Sequence, residues 1–145
     1  MREILFKAKR LDNGEWVEGY YVERDNKSWI YPAGNQVISK SLARELRPFH
    51  SAKSTQRIMK EVFPVDPSTV CQYTGLTDKN GKKIFEGDKL YDPHENVIYT
   101  VGWSEEQAVF QMEYSWYRKS IESTNYCEII GSIHDGEGGQ DGRNL

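Results

Sequence analysis

The sequence predicts a mainly β protein with one short helix, organised as an N-terminal β-meander followed by a small, strongly bent sheet or barrel. Two observations carry this. In the C-terminal half apolar side chains recur at every second residue over long runs, and along the whole chain short apolar segments are separated by turn-forming clusters such as Asp12-Asn13-Gly14 and Asp78-Lys79-Asn80-Gly81.

The meander is read first. Ile4, Phe6 and Ala8 fall on one face with Lys7 and Lys9 on the other, and Asp12-Asn13-Gly14 then supplies a tight turn. Residues Trp16 to Val22 suit a strand with little water on either face, Asp25-Asn26-Lys27 turns again, and Trp29-Ile30-Tyr31 ends at Pro32. Between Ser41 and Arg47 the helical spacing of Leu42, Ala43 and Leu46, with Ser41 as a cap and Pro48 as a stop, predicts the short helix. Residues 55–64 fit a helix or a strand, with strand preferred.

In the C-terminal half Val97, Tyr99, Val101 and Trp103 share a face, Ser104 to Gln107 turn, and Ala108, Phe110, Met112, Tyr114 and Trp116 alternate with Gln111, Glu113 and Ser115. Burial of the whole even-numbered set is expected, with Trp116 in a ring-filled core. A polar loop, Glu122 to Asn125, precedes a last strand from Cys127 to Ile133. The boundaries predicted are a meander with the basic helical segment over 1–67, a β module over 68–134, and a disordered Gly-rich tail over 135–145.

Composition narrows the function classes. The 145 residues fit one domain or two small modules, and the net charge of −3 gives no general attraction for a polyanion. The exception is local. Lys40, Arg44, Arg47, Lys53, Arg57 and Lys60 face only Glu45, so that stretch carries about +5 and the rest of the chain about −8. These six are the candidate nucleic-acid-binding residues, weighed against a plain solvated surface, which is preferred. Tyr114, Trp116, Tyr117, Arg118 and Lys119 offer a second aromatic and basic neighbourhood.

No catalytic apparatus is legible. Cys71 and Cys127 lie far apart without CxxC spacing, so reduced, packed thiols are expected. His50, His94 and His134 are isolated, the Gly-rich tail lacks the flanks of a phosphate loop, and no cofactor is implied. Glu86 and Asp88, near Asp92, His94 and Glu95, are the best acidic group for a metal-dependent reaction, but the intervening Gly87 suggests a turn in which Asp88 accepts backbone hydrogen bonds. The opening residues lack a signal-peptide pattern and no apolar run would span a bilayer, so a cytoplasmic protein without membrane contact is expected.

The most distinctive run is Gln72-Tyr73-Thr74-Gly75-Leu76, then Asp78-Lys79-Asn80-Gly81-Lys82, then Glu86-Gly87-Asp88. With the Arg2-to-Ala8 opening and the final Ile129-Ile130-Gly131-x-Ile133, this order of motifs resembles the YopX family, encoded mostly by bacteriophages and prophages. Cys71 departs from it, because the family commonly has Gly there. The resemblance implies a β-rich fold whose second half is SH3-like and is entered through the Glu-Gly-Asp step, and it brings no assigned activity. The expected function is therefore a non-enzymatic phage or prophage accessory protein that binds a phage or host protein. Weak nucleic-acid binding by the 40–60 stretch is the alternative, a metal-dependent enzyme at Glu86 and Asp88 ranks last, and a homo-oligomer stays open.

Overall fold

A computed structural model describes residues 3–32, 62–121 and 124–136. The described residues are mainly antiparallel β-structure and separate into two compact units, Leu5–Val70 and a second that runs from Cys71 and includes Met1–Ile4. The short helix predicted over 41–47, the six bases from Lys40 to Lys60 and the tail beyond Gly136 lie outside the described residues.

In the first unit β1 (Phe6–Lys9), β2 (Trp16–Arg24), β3 (Lys27–Pro32) and the short β4 (Phe63–Pro64) lie in the order β4-β3-β2-β1. The turns are those the sequence marks. Gly14 takes φ +74°, and Asp25 and Asn26 take +53° and +64°, the left-handed backbone of a two-residue hairpin. The register sets Phe6 opposite Gly19 and Ala8 opposite Val17, which places Phe6, Ala8 and Val17 on one face. Ala8, Ile30 and Val65 form the buried centre of that face, with Tyr21 and Val70 packed on them. Thr69, at the end of a one-turn 3-10 helix, ties the chain back to β1 by accepting the Lys9 N–H at 2.9 Å.

The second unit contains β5 (Cys71–Thr77) paired with β6 (Lys83–Phe85), and a five-stranded sheet of β7 (Asp88–Asp92), β8 (Val97–Ser104), β9 (Val109–Tyr114), β10 (Tyr117–Ser120) and β11 (Glu128–Ser132). Its order is β10-β9-β8-β7-β11, so a four-strand meander is completed by a last strand that returns beside the first. Ile84, Leu90, Tyr99, Val101, Phe110, Met112 and Cys127 are its core.

One predicted element divides. Of the even-numbered set expected to be buried from Ala108 to Trp116, Phe110 and Met112 are buried while Gln111 and Glu113 are half-buried, but Ala108 and Tyr114 are exposed, and the strand begins at Val109 and ends at Tyr114. Ala108 lies in the preceding turn at φ +57°, and Ser115 turns the chain at φ +56°. Trp116 is consequently 84% exposed at a hairpin tip, which corrects its expected place in the core, and the unpredicted β10 follows it. The physical reason is a reversal made by Ser-Trp, without the Gly, Asn or Pro that would announce it. Among the described residues no helix is long and apolar enough to cross a membrane.

Candidate functional site

The distinctive motif residues come first, because the structure gives most of them a backbone task. Asp78 is buried between β5 and β6, and its Oδ1 accepts the N–H groups of Asn80 and Lys82 at 2.8 and 2.9 Å. Its Oδ2 accepts the N–H of Ile129 on β11 at 3.1 Å, so one carboxylate closes the hairpin and fastens it to the far edge of the sheet. Burial alone would raise its pKa, but the three backbone donors outweigh that and hold it below the usual carboxylate range. Gly81 completes the turn at φ +79°.

Upstream, Thr74 donates to the Ile84 carbonyl at 2.8 Å, Tyr73 packs its ring on Phe85, and Gly75 at φ +92° sits where the β5–β6 register shifts between Tyr73 and Thr77. Gln72 supplies a carbonyl to the Glu86 N–H at 2.9 Å. Leu76 is half-buried. Cys71 is buried and free of a disulfide, and it takes no positive φ, so a side chain is accommodated there without backbone strain.

The Glu86-Gly87-Asp88 step is a turn. Gly87, at φ +88°, gives its N–H to Val101 and its carbonyl to Ile133, and the Asp88 carboxylate, buried, accepts the Phe85 N–H at 2.8 Å. Glu86 is half-buried, and burial pushes its pKa up against the opposing pull of the Gln72 backbone contact and His134. Asp88 is thereby engaged with the backbone of its own turn. No group of three or more His, Cys, Asp or Glu side chains among the described residues is arranged to hold a metal.

A third acid, Asp92, organises the β7–β8 loop by accepting the N–H groups of His94 and Glu95 on Oδ1. Its buried Oδ2 has no hydrogen-bond donor among the described residues and faces Lys119 Nζ at 3.8 Å. Lys119 also bonds Glu95 at 3.3 Å and lies 4.7 Å over the Tyr99 ring, while the Tyr99 hydroxyl donates to Glu95. Burial alone would lower the Lys119 pKa, but Glu95 and the surrounding phenols reverse this and raise it. Burial likewise pushes the Cys127 thiol up, which suits a packed, inert cysteine.

The β9–β10 hairpin presents a group of aromatic rings outward. Tyr114 is 48% exposed, Tyr117 40% and Trp116 stands between them, with the Trp116 and Tyr117 rings edge to face at 6.3 Å. Tyr114 and Tyr117 both border the Tyr99 ring, at 6.2 and 6.5 Å, so buried packing holds the base of the cluster while its tip meets solvent. On the opposite face the hairpin borders a cavity of about 590 Å³ lined by Ser104, Val109, Gln111, Glu113, Arg118 and Ser120 among others. Of the predicted aromatic and basic neighbourhood, Lys119 is committed to Asp92 and Glu95, whereas Trp116, Tyr117 and Arg118 remain outward. The candidate nucleic-acid residues Lys40, Arg44, Arg47, Lys53, Arg57 and Lys60 are outside the described residues.

Comparison with family models matches the YopX protein model over residues 5–137, nearly all of both units. The chain belongs to the YopX family. Comparison with curated proteins gives no match. In this YopX member the motifs from Gln72 to Asp88 chiefly shape the backbone, and the exposed aromatic hairpin lies outside them.

Proposed function

We propose that this YopX-family chain is a non-enzymatic accessory protein of a phage or prophage, working in the host cytoplasm by binding another protein through the β9–β10 hairpin. The observation that carries the proposal is the cluster Tyr114, Trp116 and Tyr117, an aromatic surface rising from a packed base. Aromatic side chains concentrate binding energy at protein interfaces, because they bury much area with few rotors to freeze. The engagement of Asp78, Asp88 and Asp92 with backbone N–H groups supports a non-catalytic reading of the acids. The order β10-β9-β8-β7-β11, a meander extended by a strand returning beside its first, supports reading the second unit as SH3-like.

The test is affinity capture from phage-infected host cells with the parent chain and Trp116→Ala in parallel, with and without nuclease treatment. A protein retained by the parent and lost by the variant is expected. Capture of nucleic acid in its place, lost on nuclease treatment, would promote the basic-stretch alternative.

A further inference from the structure

We infer that the protein bound at the hairpin contributes an extended, acidic segment that adds as a sixth strand to the edge of β10 that no strand among the described residues occupies, an inference that rests on the hairpin being the binding surface. β10 ends the sheet order and pairs with β9 from Tyr117↔Tyr114 to Ser120↔Gln111. A two-residue hairpin closes on a hydrogen-bonded pair, here Tyr114 with Tyr117, and bonded and non-bonded pairs then alternate along the ladder. Lys119 therefore directs its backbone groups to β9, and Arg118 and Ser120 direct theirs away from it. No turn or loop backbone bond among the described residues uses them.

The side chains decide what fits this edge. Lys119 is neutralised by Glu95 and Asp92 on the core-facing side. Arg118 projects from the other face, exposed, and Glu113 opposite it in register is held by Gln111 Nε2 at 2.8 Å. None of the ion pairs among the described residues includes Arg118. Its guanidinium thus suits a two-pronged contact with an incoming carboxylate. A second copy is a poor occupant, because aligning β10 with itself about Arg118 or Lys119 sets like charges opposite each other. An added strand with an acid beside Arg118 and an apolar residue beside the exposed Tyr117 satisfies both faces, with main-chain bonds giving affinity and alternate side chains giving selectivity.

The experiment selects binders of the full chain from a displayed library of random dodecapeptides and measures the enriched peptides against three variants. Enriched sequences are expected to alternate acidic and apolar residues at period two. Ser120→Pro should weaken them about tenfold or more, since it removes an outward N–H at an edge position where proline is tolerated. Arg118→Glu should weaken them by at least as much, which keeps the inference testable if the proline variant folds poorly. Peptides lost with Trp116→Ala but held equally by Ser120→Pro and Arg118→Glu would overturn strand addition and leave the hairpin surface standing. Peptides indifferent to all three variants, or no enrichment, would overturn both.

Discussion

Two hairpins of the second unit reverse the chain by opposite means. Between β5 and β6 the reversal is written in side chains, with Asp78 receiving three backbone donors and Gly81 taking the left-handed position. Between β9 and β10 the turn is Ser115-Trp116, and a non-glycine residue takes φ +56° with a tryptophan beside it in solvent. The first turn uses its polar residues on itself and leaves little chemistry to present. The second lacks turn chemistry but displays an aromatic surface, and a residue combination unfavourable for folding is a reason to look there for binding.

The largest expected effect comes from breaking the first turn at its carboxylate. Asp78→Ala leaves the N–H groups of Asn80, Lys82 and Ile129 without their acceptor and should cost about 2 to 4 kcal/mol, read from urea denaturation. A loss below about 1 kcal/mol would mean that water replaces the carboxylate. The same group has a pH signature. Its folded pKa is depressed, so its stabilisation is complete above the unfolded value near 4 and disappears as pH falls through the folded value. Stability should therefore drop as pH falls below about 4, and Asp78→Asn should flatten that drop.

Next is Gly87→Val, which places a β-branched side chain at φ +88° with its Cβ 3.2 Å from Ile133 Cγ1. A loss of about 1 to 3 kcal/mol in thermal or chemical unfolding is expected. A fully stable variant that had lost a biological activity would instead make the Glu86-Gly87-Asp88 step a functional surface.

A smaller effect separates two loops of similar closure. The β7–β8 and β8–β9 connections each end on a left-handed residue whose N–H returns to the residue four earlier, Asn96 to Asp92 and Ala108 to Ser104, both at 2.7 Å. Asn tolerates that backbone and Ala resists it. Ala108→Gly should raise stability by up to about 1 kcal/mol and Asn96→Ala should lower it by a similar amount. Equal changes of the same sign in calorimetric midpoints would contradict this account.

These loops show where the sequence was legible. Gly14, Asp25-Asn26 and Asp78 to Gly81 announce their turns by residue type, and the period-two runs place Phe110, Met112, Tyr99 and Val101 in the core. Ala108 and Ser115 adopt left-handed backbone without a residue that advertises it, so the apolar alternation starts one residue early at Ala108, reads through the Ser115-Trp116 turn and conceals β10. The ion pairs of Lys119 with Asp92 and Glu95 join residues more than twenty positions apart, and no local spacing signals such a contact.

The smallest stability effect is the most informative about function. Trp116 is 84% exposed, so Trp116→Ser removes little burial and should change unfolding free energy by less than about 0.5 kcal/mol. Its ring contact with Tyr117 at 6.3 Å contributes little at such exposure. Tyr114 and Tyr117, in contrast, border the Tyr99 ring, and Tyr117→Ser should cost measurably more because packing is lost with the surface. If the hairpin is the interface, Trp116→Ser abolishes capture of the partner while its urea midpoint stays at the parent value. A large loss of stability at Trp116 with capture retained would reverse the contrast between the two hairpins, making the tip a structural contact and removing the observation on which the binding proposal rests.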